Sequence, residues 1–296
     1  MRERNSFREI PEKYLDEFIG RALAEDIGTG DITSEILIPH DLQGRAFLLV
    51  KDRGVLAGID VARKVFLHVD PSLRVELHFA DGARVKPGDR VADISGRVDG
   101  ILKAERTALN ILQRLSGIAT QTAKYVAKTR GLTVKVADTR KTTPGLRMLE
   151  KYAVHVGGGL NHRLDLSDGV LIKDNHLAAQ RATGKNLKDA VIEAKKKAPA
   201  GTSVEVEVTS LEEALSAAEA GADIIMLDNM TPEEMNRAVS ALPPGLKTEA
   251  SGGVTLANIR EVALTGVDII SVGALTHSPK ALDISLELEP QMLKLF

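Results

Sequence analysis

The sequence reads as an α/β protein in two parts: a β-rich α/β-sandwich domain at the N-terminus and an open, incomplete (β/α) barrel at the C-terminus. Three observations carry this. The chain has 296 residues, long enough for two domains, and 43% of them are apolar, enough for two cores. Between residues 44 and 99, short alternating runs such as RAFLLV, RVELHF and RVADISGRV are separated by DRG, DPS, ADG and KPGD turns, the pattern of a β-rich domain. After Gly131 the rhythm becomes strand, helix, strand, which predicts βαβ units and a parallel sheet.

Taken in order, residues 11–25 place Tyr14, Leu15, Phe18, Ile19 and Leu23 at helical spacing and run into EDIGTGDIT, a loop rich in Gly and Asp. One helix interrupts the β-rich stretch at 59–68, where IDVARKVFLH spaces its apolar residues three to four apart. Residues 103–130 form a long amphipathic helix, with Ala108, Leu109, Ile111, Leu112, Leu115, Ile118 and Ala119 on its apolar side, and join the two halves. Beyond it, β-branched runs at 134–138, 169–174, 203–208, 223–228, 247–253 and 268–274 alternate with helices that open on Asn186, Ser210, Thr231 and Thr255 as N-caps. Six strands, where a closed barrel has eight, predict an open one. The expected domains are 1–115 and 116–279, with 280–296 packing back on the first.

Composition removes whole classes of function. Lys plus Arg number 39 and Asp plus Glu 41, so a net charge of −2 gives no electrostatic case for nucleic acid or anionic membrane as partner. Three Tyr, six Phe and no Trp supply no stacking platform for single strands. The absence of Cys excludes disulfides, thiolate nucleophiles and Fe–S ligation. The first residues, MRERNSFREIPEKYLDEF, lack the apolar centre of a signal peptide, and no window approaches 18 apolar residues. A soluble, cytoplasmic protein acting on small molecules is expected.

The chemistry is expected at the C-terminal ends of the barrel strands, where βα loops converge. Strands of a covered parallel sheet should be continuously apolar, so charges at their ends need a reason. Asp138 with Arg140 and Lys141, Lys173 with Asp174, Glu205 with Glu207, Asp228 with Asn229, and Glu249 with Ser251 fall at successive ends, followed by Gly273. In VEVEV, Glu205 and Glu207 point to one face, the lumen, where carboxylates must meet cations, metal or ligand hydroxyls. Arg140, Lys141, Arg147, His162, Arg163 and Lys173 flank two strand ends and suit carboxylates and phosphates. Gly loops at Ala250–Gly253, before a Thr255-capped helix, and at Ser271–Ala274 follow the last two strands, where barrels bind phosphate. The run GGGL at 157–160 is expected to be a flexible turn. His155, His162 and His176 lack metal-ligand spacing, and no HExxH, GxSxG, GxGxxG or Walker A string is present.

ADTRKTTPGLRMLEKYAVHVGGGLNHRLDLSDGVLIKDNH (137–176) resembles the core of the quinolinate phosphoribosyltransferase family, the carboxylating nicotinate-nucleotide pyrophosphorylases. EDIGTGDITS, AERTALNILQRLSGIAT, EVEVTSLEEALSAAEAGADIIMLDN and EASGGVTLANIREVALTGVDIISVGALTHS resemble the same family in the same order. The resemblance implies transfer of a phosphoribosyl group from phosphoribosyl pyrophosphate to quinolinate with loss of CO₂, with Mg²⁺. It assigns Arg106, Thr139, Arg140, His162 and Arg163 to quinolinate, with Lys173 between the two ligands, and Lys141 to phosphate charge. It assigns Glu207 and Asp228 to ribose hydroxyls and metal, and Ser251, Gly252, Gly253, Gly273 and His277 to phosphate. Lys141, Lys173, Glu207 and Asp228 are the catalytic set it implies. Arg106 is expected to reach a neighbouring subunit's site, making the protein a homo-oligomer, dimer or hexamer. Three other readings stay open: a Schiff-base aldolase with Lys173 as the amine, a paralogue taking another heterocyclic acid such as nicotinate, and a silent scaffold on the same barrel.

Overall fold

The computed structural model describes residues 10–295; the charged first nine, read above as lacking a signal-peptide core, lie outside the described residues. The chain divides into two compact units. Of the described residues, one holds 10–123, Met148–Gly158 and 278–295, and the other holds Lys124–Arg147 and Gly159–His277.

The first unit begins with α1 (Glu12–Ile27), which buries Leu15, Ile19 and Leu23 one turn apart. Asp31 then caps the short α2 (Ile32–Leu37) by accepting the Ser34 N–H at 3.0 Å. β1 (Gln43–Val50) alternates half-buried and buried residues along its whole length, as a strand with one face on a core must. β2 (Gly54–Val55), α3 (Ile59–Val69), β3 (Arg74–Leu77), β4 (Arg84–Val85) and β5 (Arg90–Arg97) follow. β5 pairs antiparallel with β1 and β3, and β2 pairs separately with β4. On β5, Asp93 accepts hydrogen bonds from Arg45 and Arg90 and stands 3.3 Å from His78 Nε2, while the Arg90 guanidinium lies 4.1 Å from the Phe47 ring centre. The long helix is α4 (Val98–Lys128), five residues earlier at its start than the apolar spacing showed.

The second unit carries β6 (Lys135–Ala137). α5 (Arg147–Val156), most of which belongs to the first unit, comes next, and then β7 (Val170–Ile172), α6 (Asp174–Ala182) and α7 (Leu187–Lys197). β8 (Val204–Val208), α8 (Leu211–Glu219), β9 (Ile224–Asp228), α9 (Pro232–Ala241), β10 (Lys247–Ser251), α10 (Ile259–Leu264), β11 (Ile269–Ser271) and α11 (Ala274–His277) complete it. All six strands run parallel in the order β6-β11-β10-β9-β8-β7. A closed barrel would also pair β6 with β7, its chain neighbour, and that pair is absent among the described residues. The barrel is therefore open at one seam. Asn186, Ser210 and Thr231 cap α7, α8 and α9 through their side chains, as their positions predicted. The chain then returns to the first unit, where β12 (Ile284–Leu288) pairs antiparallel with the outer edge of β1. No helix among the described residues is long and apolar enough to cross a membrane.

One expectation is corrected. Thr255 does not cap a helix: its N–H and hydroxyl both bond Asn258 Oδ1, at 2.7 and 3.2 Å, and close a turn before α10 starts at Ile259. The GGGL run opens with a turn, Gly158 at φ +87°, and it is packed: a Cβ on Gly157 would lie 2.6 Å from the Ala119 carbonyl oxygen of α4. Glycine is needed there for close backbone approach.

Candidate active site

The C-terminal ends of the barrel strands surround a cavity of about 540 Å³. The loop after β6 gives it Thr139, Arg140 and Lys141, the loop before β7 gives His162 and Arg163, and Lys173 follows β7. Glu207, Asp228 and Ser251 line it at the ends of β8, β9 and β10, with Gly252 and Gly253 beyond. Eleven of the fourteen residues singled out by the sequence thus share one wall or another of this space. Gly273 stands beside it: a Cβ added there would lie 3.0 Å from Lys141 Cδ and 3.2 Å from His277 Cδ2, so these three are neighbours. Arg106 is exposed on α4 in the other unit.

The loop of Arg140 and Lys141 is a tight turn. The Lys141 N–H bonds Thr139 Oγ1 at 3.1 Å, and the Thr142 N–H bonds the Arg140 carbonyl at 2.9 Å. Thr276 at the end of the barrel donates its hydroxyl to the Lys141 carbonyl at 2.7 Å. Arg147, expected among the anion-binding cations, does not line the cavity. Its Nε donates to Thr142 Oγ1 at 3.0 Å and its NH1 to the Leu164 carbonyl at 3.3 Å, so one guanidinium joins the two basic loops. The buried Nε of Arg140 has no hydrogen-bond partner among the described residues, an arrangement that suits an incoming carboxylate.

Asp138, read from the sequence as one of the charges at the strand ends, is fully buried and structural. It accepts the His162 N–H at 2.8 Å and Asn161 Nδ2 at 2.7 Å. The His162 ring reaches inward, with Nε2 3.3 Å from both Glu205 Oε2 and Glu249 Oε1, and Ser271 donates its hydroxyl to Glu249. Burial lowers the affinity of this ring for a proton, but the two carboxylates outweigh it and hold the ring up to about 9. The Arg163 N–H, 2.9 Å from Nδ1, instead favours a lone pair on that atom. The Glu249 carboxyl is itself pushed up by burial and by Glu205, against the opposing pull of His162 and Ser271.

These buried groups also bear on metal binding. His162, Glu205 and Glu249 bring one ligand atom each within 4.8 Å of one another, a constellation that linear spacing hid. A ligating Nε2 would need its proton on Nδ1, where Arg163 presents a donor, so the trio is bonded as a hydrogen-bond cluster. Glu207 and Asp228 are the better hard-oxygen pair. Burial pushes the Glu207 carboxyl up, aided by Asp228 and Asp174 and opposed by Lys173, whose ammonium lies 3.6 Å from Oε2. That Oε2 makes no hydrogen bond among the described residues. Two carboxylates without a full protein cage fit Mg²⁺, which keeps water and phosphate ligands.

Asn229, Glu249 and Ser271, also named from the sequence, line the cavity as well, whereas Leu171 and Met226, both buried within strands, were not singled out and give it apolar surface. Beyond the end of β10, Gly252 has φ +87°, and a Cβ would fall 2.2 Å from Asn229 Oδ1, so only glycine fits beside the end of β9. Asn229 itself holds φ +53°.

Comparison with known proteins gives consistent matches. Family models for the N-terminal and C-terminal domains of quinolinate phosphoribosyl transferase match residues 31–116 and 118–287. A probable nicotinate-nucleotide pyrophosphorylase [carboxylating] of Bacillus subtilis is 43% identical over 278 residues, covering 93% of each chain. The chloroplastic nicotinate-nucleotide pyrophosphorylase [carboxylating] of Arabidopsis thaliana is 43% identical, covering 95% of this chain and 85% of its own. The solved nicotinate-nucleotide pyrophosphorylase of Francisella tularensis superposes with a TM-score of 0.90 at 40% identity, covering 96% of this chain and 99% of that one.

Proposed function

The chain belongs to the quinolinate phosphoribosyltransferase family, and from that premise we propose how its cavity carries out the family's reaction. The enzyme transfers the phosphoribosyl group of phosphoribosyl pyrophosphate to quinolinate with decarboxylation, giving nicotinate mononucleotide, pyrophosphate and CO₂ in de novo NAD biosynthesis. The observation that carries the reading is the convergence of Arg140, Arg163 and Lys173 on one cavity, with the buried Arg140 Nε lacking a hydrogen-bond partner among the described residues.

In this proposal the guanidinium forks of Arg140 and Arg163, with Thr139 and His162, hold the two carboxylates of quinolinate, and Leu171 and Met226 offer apolar contact to its ring. Lys173, paired with Glu207, serves as a point charge between the two substrates rather than as a Schiff-base amine. Lys141 carries phosphate charge, and the backbone of Ser251, Gly252 and Gly253, with Gly273 and His277 near Lys141, receives phosphate oxygens. Without a long helix after the Gly loop, the backbone N–H groups themselves make this phosphate cradle.

Displacement at the anomeric carbon passes through an oxocarbenium-like state. The ring nitrogen supplies the electron pair that forms the new C–N bond, and pyrophosphate leaves with the electrons of the old C–O bond. Glu207 and Asp228 stabilise the developing cation and hold ribose hydroxyls, so positioning and electrostatics supply most of the catalysis. Mg²⁺, held by Glu207 and Asp228 together with pyrophosphate oxygens, would neutralise the leaving group's charge. When CO₂ then departs, the electron pair of its bond stays on the ring carbon, stabilised by the adjacent positive nitrogen, and that carbon takes a proton from solvent water; no general base is assigned. We place this chemistry in the cytoplasm, since a chain without Cys needs no oxidising compartment, and in a homo-oligomer whose exposed Arg106 completes a neighbour's site.

The test is direct. Purified protein with quinolinate, phosphoribosyl pyrophosphate and Mg²⁺ should release CO₂ and form nicotinate mononucleotide. Turnover of nicotinate in place of quinolinate, or borohydride trapping of substrate on Lys173, would overturn the reading.

A further inference from the structure

Glu205 and Glu249 are buried carboxylates for which the chemistry above has no use. Burying two such groups is rarely a source of stability, and apolar residues of similar volume would often serve the fold better. Their position gives them another task. Among the described residues β6 and β7 do not pair, and the backbone between them meets β6 only through a single bridge at Leu160. Residues 160–163 span that seam. The Leu160 N–H bonds the Val136 carbonyl of β6 at 2.7 Å, and the Arg163 guanidinium reaches the Gly169 carbonyl beside β7 at 3.3 Å. Between these points the His162 side chain crosses the lumen, held 3.3 Å from carboxylates of β8 and β10. Its other ring nitrogen accepts the Arg163 N–H at 2.9 Å.

We propose that Glu205 and Glu249 are positioning residues: by holding the His162 ring they fix the backbone of Arg163 across the open seam and so aim its guanidinium at the substrate's carboxylate. The inference rests on the reading of the cavity as a quinolinate site. Ser271, which donates to Glu249, belongs to the same chain of contacts from β11. The phosphate cradle of Ser251, Gly252 and Gly253 follows Glu249 on β10, but the contact chain through the His162 ring leads to Arg163 and not to that cradle, so the lever is directed at one substrate.

The experiment measures steady-state kinetics of the full-length enzyme with each substrate varied in turn, for wild type, Glu205→Leu, Glu249→Leu, Glu249→Gln and Arg163→Ala. Thermal melts accompany each protein. Both Leu variants should raise the KM for quinolinate about tenfold while the KM for phosphoribosyl pyrophosphate moves less than about twofold. Glu249→Gln, which still accepts from Nε2, should recover most of that loss. In an Arg163→Ala background the effect of Glu249→Leu should shrink to less than about twofold, because the two residues act through one contact chain. Unchanged quinolinate KM in the folded Leu variants would overturn the proposal, as would parallel increases for both substrates, or an undiminished effect in the Arg163→Ala background. Should the Leu variants fail to fold, Ser271→Ala is read the same way: an unchanged quinolinate KM there also overturns it. A wild-type enzyme that does not turn over quinolinate would instead remove the assigned reaction, and this inference with it.

Discussion

Individual side chains divide into those the sequence exposes and those it hides. Arg140, Lys141, Arg163, Lys173, Glu207 and Asp228 are visible because a charge at the end of an apolar run has few explanations, and all six line the cavity. Asp138 has the same signature and a different task, since nothing in its neighbours' identities says that it will be buried under Asn161 and His162. Leu171 and Met226 leave no trace, because an apolar residue facing a ligand reads like one facing a core. Replacing Arg163 by Ala removes charged hydrogen bonds to a carboxylate and should lower kcat/KM for quinolinate by about a hundredfold, roughly 3 kcal/mol, in steady-state assays. Far from the cavity, Asp93 offers a test of pH dependence. Burial raises its carboxyl, but hydrogen bonds from Arg90, Arg45 and His78 prevail and hold it below the usual carboxylate range. A folded-state value below the unfolded one, about 3.9, means the stabilisation is complete above that pH and is lost as pH falls through the folded value. Asp93→Asn should therefore cost about 2 kcal/mol in urea melts near neutrality and much less at about pH 3. An equal cost at both would refute the pairing.

Elements with strong periodicity were legible and those with unusual capping were not. α7, α8 and α9 start where Asn186, Ser210 and Thr231 predict, because a small polar cap ahead of an apolar stripe is a local signal. α6 escapes it: its first turn is closed by the Lys173 N–H bonding His176 Nδ1 at 3.0 Å, a pairing with no common sequence signature. Thr255 shows the reverse, a good cap residue whose bonds to Asn258 build a turn instead. The loops around the cavity depend on one such non-local bond set. Arg147 ties Thr142 to Leu164, and its position in the sequence said only that it was basic. Arg147→Leu should leave the melting temperature nearly unchanged, raise the KM for quinolinate about tenfold and speed amide exchange in residues 140–143 and 162–166. Arg147→Lys, able to keep one contact of the two, should fall between. Normal exchange in both loops of the Leu variant would show that the guanidinium does not join them.

For the molecule as a whole, alternation of strand and helix announced the barrel, and six strands announced that it would not close, but the place of the gap came from pairing alone. Sequence neighbours usually pair, and β6 and β7 are the exception because the chain between them leaves for the other unit at Met148–Gly158. The first unit carries its own long-range dependence. Its sheet is bordered on one side by β12, which covers the edge of β1. Deleting residues 284–296 should bare that edge and give a protein that elutes as aggregates in size-exclusion chromatography, whereas a monodisperse product would show the edge to be harmless. The same pairing orders events during synthesis. β1 leaves the ribosome early and cannot meet β12 until nearly the whole chain has been made, by which time all six barrel strands are already outside. The barrel can thus reach its native form while the sheet that begins the protein is still waiting for its border, and a nascent chain stalled before Ile284 would be a natural client for chaperones.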